Sequence, residues 1–310
     1  MKVVYRLAAA AAFLGAATAA QAQDVNIIVV SHGQANDPFW SVVKNGVDAA
    51  AKDMNVNVDY RAPETFDMVV MSQMIEAAVN QEPDGLIVSI PDADALGPAI
   101  QKAVAAGIPV ISMNSGSDVS AKLGALLHVG QEEYDAGKAA GAKLAELGGK
   151  KGICVNQEVG NVALDLRCQG FADGFGGPVT VLPVSQDPAE VKSKVKAALE
   201  SDAAVDTVLT LGAGTAGEPA LAALSETGKL GKVNIGTFDM SADFLKAVAD
   251  GKAAFAIDQQ QYLQGYLPVV FLANHARFGL VPGGNVPSGP NLITKEKAGQ
   301  VVDLSAKGIR

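Results

Sequence analysis

The sequence holds little cysteine, little aromatic surface and no surplus of positive charge. Its 310 residues include 2 Cys, 1 Trp, 5 Tyr, 10 Phe and 3 His. Two cysteines cannot frame a disulfide-stapled miniprotein. The three histidines, His32, His128 and His275, stand far apart, and neither H-E-x-x-H nor G-x-S-x-G occurs. Zinc-hydrolase and nucleophile-elbow chemistry therefore have no motif to rest on, and no metal site is expected. With 24 Lys+Arg against 33 Asp+Glu, the chain lacks the basic face that a phosphate backbone requires, which argues against nucleic acid and an anionic membrane surface as partners.

The composition that remains, 49% apolar and 18% charged, is that of a folded globule. Its N-terminus reads differently. Lys2 and Arg6 precede an apolar stretch from Leu7 to Ala20, and Ala20-Gln21-Ala22 supplies small residues before Gln23. That pattern predicts a cleaved signal peptide over residues 1–22 and an exported product. The stretch is well under the roughly 20 residues a spanning helix needs, and nothing later approaches that length.

The mature chain opens with Val25-Asn26-Ile27-Ile28-Val29-Val30, a β-branched run without apolar/polar alternation, as in a strand buried on both faces. Comparable runs recur at 85–90, 108–112, 152–155, 179–182, 205–209 and 233–238. Between them lie helical signals: Phe66, Val69, Val70, Ile75 and Ala78 recur at helical intervals, and Pro188 follows Asp187 as a helix start. The alternation predicts an α/β fold with parallel sheets, whose ligands sit beyond the carboxyl ends of the strands. A faint repeat is visible as well. Strand 27–30 leads to Asn36 and a helix carrying Gly46; strand 153–155 leads to Asn161 and a helix carrying Gly170.

One motif points to an enzyme. Gly212-Ala213-Gly214-Thr215-Ala216-Gly217 is a G-x-G-x-x-G between a strand and a helix, with Asp239 closing the next strand. It reads either as a dinucleotide loop or as a glycine-rich turn that brings the backbone close to a ligand or a neighbouring domain. Two features favour the second: the loop does not belong to the first βα turn, and Asp239 lies beyond the usual spacing of about 20 residues. Cys154 and Cys168, 14 apart on a strand and the following helix, are disulfide candidates in an exported chain.

Polar and aromatic residues at strand ends carry more. His32 follows the first strand, and Asn36-Asp37-Pro38-Phe39-Trp40 comes soon after it. An aromatic face beside carboxylates and amides suits a sugar, whose C–H face stacks while its hydroxyls need acceptors and donors. Asn114, Asp239 and Gln259 end later strands, and Arg167 lies in the first helix of the second half. One arginine against two aspartates fits a neutral polyhydroxylated ligand better than an anion. A cleft-facing Arg167 is expected to serve the ligand, so that Arg167→Ala would abolish binding and leave the melting temperature nearly unchanged.

Taken in order, these segments resemble the periplasmic sugar-binding proteins of the ribose-binding, type I class that serve ABC importers. The carriers of the resemblance are Asn36 to Trp40, Pro83-Asp84-Gly85-Leu86-Ile87-Val88, Ala106-Gly107-Ile108-Pro109-Val110, Gly236-Thr237-Phe238-Asp239 and Ile257-Asp258-Gln259-Gln260. The resemblance implies two Rossmann-like lobes joined by a three-segment hinge, residues 23–128 with 260–287 and residues 129–259 with 288–310. It implies one sugar enclosed between them, no cofactor, no catalysis, an inner-membrane ABC permease as partner, in some cases a chemoreceptor, and a monomer. By motif, Asp37 would hold ring hydroxyls, Phe39 and Trp40 would pack on the ring, Asn114 would stand where ribose binders place aspartate, Arg167 and Asp239 would bind hydroxyls, and Gln259 would act near the last hinge.

Two departures shift the expected cargo. Ser115 stands where ribose binders carry arginine, and Leu211-Gly212-Ala213-Gly214 replaces an asparagine-aspartate pair. With His32 on the first loop, they imply another pentose, a deoxy or branched sugar, or a sugar alcohol. The alternatives are an exported nucleotide-dependent oxidoreductase using the glycine loop, or the same fold holding a nucleoside, amino acid or signalling molecule.

Overall fold

A computed structural model describes residues 24–33 and 37–310. The expected signal peptide and Asn36 lie outside the described residues.

The first half runs β1 (Asn26–Val30), α1 (Pro38–Met54), β2 (Asn57–Arg61), α2 (Met68–Val79), β3 (Gly85–Val88), α3 (Ala93–Ala105), β4 (Val110–Asn114) and β5 (Leu127–Gly130). The second runs α4 (Glu133–Glu146), β6 (Gly152–Asn156), α5 (Val162–Phe175), β7 (Val179–Pro183), α6 (Pro188–Ser201), β8 (Thr207–Thr210), α7 (Glu218–Glu226), β9 (Asn234–Phe238), α8 (Ala242–Ala249) and β10 (Phe255–Asp258). The chain then returns through α9 (Gln261–Phe278), β11 (Val286–Pro287), β12 (Asn291–Thr294) and α10 (Lys295–Ala306).

These strands form two six-stranded sheets, ordered β11-β5-β4-β3-β1-β2 and β12-β10-β9-β8-β6-β7. Every pairing within them is parallel except β10 with β12. The fold is therefore α/β, with one lobe around each sheet. The chain passes between lobes three times, after β5, after β10 and between β11 and β12. The first passage lies two residues beyond the expected 128/129 boundary, because Asn114 still pairs with Gly130 in the first sheet.

The buried runs read from sequence are the central strands. β3, β4, β6, β8 and β10 are buried throughout, since helices cover both faces of each sheet. Helix starts follow local chemistry. The side chains of Asp37, Asp67, Asp92, Asn161 and Asp187 accept backbone N–H groups at the first turns of α1, α2, α3, α5 and α6, and Pro38 and Pro188 occupy first helical positions, where a missing N–H costs nothing.

The sequence repeat has a packing cause. A Cβ on Gly46 of α1 would lie 2.1 Å from Tyr262 O of α9, and one on Gly170 of α5 would lie 2.0 Å from Tyr134 O of α4. The contact is reciprocal, for Gly265 would meet Val43 O at 2.1 Å and Gly137 would meet Arg167 O at 2.2 Å. In each lobe the helix arriving from a crossing packs backbone to backbone on the helix that follows β1 or β6. Cys154 of β6 and Cys168 of α5 are joined by a disulfide that ties that helix to the central sheet.

Candidate functional site

The loops at the carboxyl ends of both sheets face one another across a cleft, the place where open parallel sheets bind their ligands. His32, Asp37, Phe39, Trp40, Asn114, Arg167, Asp239 and Gln259, all singled out in the sequence, line this one cleft. The first five come from the first lobe and Arg167 and Asp239 from the second, while Gln259 sits in the second crossing.

The first-lobe wall is aromatic. Trp40 packs edge-on to His32, with ring centroids 4.7 Å apart, and to Phe39 at 5.2 Å. Only glycine fits at position 33, where a Cβ would stand 1.9 Å from Trp40 Cγ. His32 is buried, and its backbone N–H and Nδ1 both lie within hydrogen-bond distance of Ser89 Oγ, at 3.0 and 2.8 Å. Burial, helped by the Arg167 charge, holds its imidazole down at about 3, so it is neutral. Neutral Nε2 accepts from Asn161 Nδ2 of the opposite lobe at 3.4 Å.

The second-lobe wall is acidic. Glu158, just past the end of β6, accepts from Asn161 Nδ2 at 2.7 Å and Gln186 Nε2 at 2.7 Å, and its Oε2 lies 3.7 Å from His32 Nε2. Burial pushes its carboxyl up. Burial, followed by repulsion from Glu158, also raises Asp37 to about 7, against the pull of the Phe39 and Trp40 backbone N–H groups. Asp239 is likewise raised to about 7, chiefly by burial, with Arg167 and a hydrogen bond from Gln259 opposing.

A buried amide network joins the crossings to the cleft. Asn114 Nδ2 donates to Gln264 Oε1 at 3.2 Å, while Gln264 Nε2 donates to Gln259 Oε1 and Ser288 Oγ, each at 3.0 Å. Gln259 Nε2 in turn donates to Asp239 Oδ1. Asn114, Asp239 and Gln260 have φ of 63°, 65° and 51°, left-handed backbone that non-glycine residues adopt at a cost and that collects at binding sites.

Arg167 departs from its sequence expectation. It is 3% exposed, donates from Nε and Nη2 to Glu133 at 2.6 and 3.0 Å, and stacks on Phe238 with Cζ 4.5 Å from the ring centroid. Arg167 borders the cleft, but its charge is matched by Glu133, so it belongs to the buried ion pairing of the core.

The glycine motif forms a wide turn over Ala213–Gly217, after the third strand of its lobe in chain order. Gly212, Ala213, Gly214 and Thr215 line the cleft, and Gly214 faces Pro38 of the other lobe. The acidic Glu218 occupies the first turn of α7, where a dinucleotide loop would offer its pyrophosphate an unopposed helix end. His128 lies outside the cleft, buried with Nδ1 2.8 Å from Ser112 Oγ.

Sequence reasoning did not single out Gln157, Glu158 or Glu133 as site residues. The repeat contained a signal for two of them: Gln157-Glu158 follow the end of β6 as Ser31-His32 follow the end of β1.

Comparisons with known proteins agree with this geometry. A carbohydrate transporter from Acidothermus cellulolyticus, crystallised with myo-inositol, is 36% identical, with a TM-score of 0.88 over 93% of this chain and 100% of that one. A periplasmic sugar-binding protein from Legionella pneumophila is 26% identical, with a TM-score of 0.79 over 86% and 99%. A xylose/arabinose-binding protein from Sulfolobus acidocaldarius is 26% identical over 79% of this chain, and the match spans 64% of that protein's length. The family model for the periplasmic binding protein domain matches residues 27–279, and the chain belongs to that family.

Proposed function

We propose that this protein is an exported, non-catalytic receptor that captures a small neutral carbohydrate by closing two lobes over it and delivers it to an ABC importer in the inner membrane. The cargo class is a pentose, a related monosaccharide or a sugar alcohol. The observation that carries the reading is the convergence of Asp37, Asn114, Asp239 and Gln259 with the aromatic wall of Phe39 and Trp40 in one cleft shared by both lobes. Hydroxyls bind bidentately to carboxylates and amides while the apolar ring face lies on an aromatic surface. Ligand contacts made to both lobes at once stabilise the closed state. Relatives that bind myo-inositol or are named for xylose and arabinose support the ligand class. In this reading residues 1–22 are removed on export, the protein works as a monomer in the periplasm, and Arg167 and His32 complete the ligand set.

A thermal-shift screen of residues 23–310, unfolded and refolded to strip carried ligand, tests it. The panel holds pentoses, hexoses, polyols, amino acids, nucleosides and NAD. A ligand that binds only the folded state raises the melting temperature in proportion to ln(1 + [L]/Kd). A shift with a sugar or polyol supports the reading; a shift with NAD alone, or with an amino acid alone, refutes it.

A further inference from the structure

The hydrogen-bonding balance of the cleft is one-sided. Several of its side-chain donors are already committed: Asn161 donates to Glu158, Gln259 to Asp239, Asn114 to Gln264, and Arg167 to Glu133. Acceptors remain. Gln157 is 8% exposed and lines the cleft, and its Oε1 has no hydrogen-bond partner. The carboxyls of Asp37, Glu158 and Asp239 border the same space.

Charge points the same way. The one arginine of the cleft is matched by Glu133, and His32 is neutral. Three carboxyls therefore share the space with no free cation among the described lining residues. They stand on opposite lobes, Asp37 on the first and Glu158 and Asp239 on the second, so the closed cleft brings together carboxyls whose ionised forms repel one another, and that repulsion adds to burial in holding Asp37 and Asp239 up at about 7. Among the described residues no group of three or more His, Cys, Asp and Glu side chains is arranged to hold a metal ion.

We propose that, beyond neutral carbohydrates, the cleft takes their amino-substituted counterparts, with the ammonium held between Asp37 of the first lobe and Glu158 and Asp239 of the second and within reach of Gln157 Oε1. An ammonium supplies three donors and no acceptor, which complements what the cleft leaves unsatisfied. It also turns the repulsion between lobes into an attraction through the ligand. This rests on the carbohydrate reading above and extends its substrate class.

The test uses matched pairs: D-glucose with D-glucosamine, D-galactose with D-galactosamine, and myo-inositol with an amino-deoxy inositol. Each is titrated calorimetrically into the stripped protein at pH 7.0, where the amines are largely charged and the raised Asp37 and Asp239 carboxyls are about half ionised before the ligand arrives, beside D-glucuronate as the anionic control. On any ring frame that binds, the amine is expected to bind about tenfold tighter than its neutral partner, as for a charge-assisted hydrogen bond, and glucuronate not at all. Asp37→Asn keeps a helix-capping side chain and should move the amine-to-neutral affinity ratio toward one; Glu158→Gln provides a second, independent reduction. Equal or weaker binding of the amine, or a neutral sugar that binds while no amine does, overturns the proposal and leaves the carbohydrate reading standing. If no sugar, polyol or amine binds, both fall together.

Discussion

Arg167 of the second lobe grips both carboxylate oxygens of Glu133, at 2.6 and 3.0 Å, and Glu133 in turn accepts from Gln131 Nε2 of the first crossing at 2.9 Å. Cleft wall, core and hinge thus meet in one buried ion pair. Removing one partner of such a pair leaves the other charge buried and uncompensated, at a cost of about 3–5 kcal/mol. Arg167→Ala should therefore lower the melting temperature sharply as well as weaken ligand binding. Arg167→Lys should not restore it, since a point charge cannot make the paired contact. Denaturant unfolding of both variants checks this, and wild-type stability in Arg167→Ala would refute it.

Asn114 explains a departure from the ribose binders. Its amide donates to Gln264 and tolerates the left-handed backbone at φ 63°. An aspartate here would set a carboxylate against the Gln264 and Gln259 carbonyl oxygens. Asn114→Asp should cost about 1–3 kcal/mol, as for an unmet buried polar group, and weaken ligand affinity. Urea melts and calorimetric titration read the two effects.

Gly46 and Gly170 should behave alike. A methyl group at either position would press on a backbone carbonyl at about 2 Å, and neither helix can yield without moving its lobe. Each glycine-to-alanine change should destabilise by at least about 1–3 kcal/mol, as for overpacking. A neutral Gly170→Ala beside a destabilised Gly46→Ala would break the equivalence of the two halves.

The raised carboxyls predict a pH dependence of the ligand-free protein. Asp37 and Asp239 rise from an ordinary 3.8 to about 7 in the fold. Between those values the unfolded chain has released protons that the folded chain keeps, so stability falls as pH rises from about 4 through 7 and levels off above. Subtracting the profiles of Asp37→Asn and Asp239→Asn from that of the wild type isolates this contribution. Each variant should flatten the decline; an unchanged slope in both would contradict it.

The fold was legible where burial leaves a continuous apolar run, as in β1, β3 and β6. β2 was not, because Asn57-Val-Asp-Tyr-Arg is an edge strand whose alternating polar residues carry no such signature. β5 escaped because His128 interrupts its apolar run, its polarity absorbed by Ser112. β11 and β12 are short and lie at sheet edges. Site residues at strand ends were visible because a parallel sheet exposes its ligand face there. Glu158 and Gln157 sit in a polar loop that reads as solvent-facing until the opposite lobe covers it, and the Glu133 partner of Arg167 is set by how α4 packs on α5, which local sequence does not encode.

Trp40, the chain's single tryptophan, stands in the cleft wall and makes the most direct test available. Its emission, followed while the stripped protein is titrated with sugars, polyols, amino acids, nucleosides and NAD, reports occupancy of this site alone. The account predicts a saturable change with at least one carbohydrate, abolished in Asp239→Ala, and none with NAD. A silent tryptophan across every carbohydrate, or a saturable response to NAD or an amino acid alone, would contradict it.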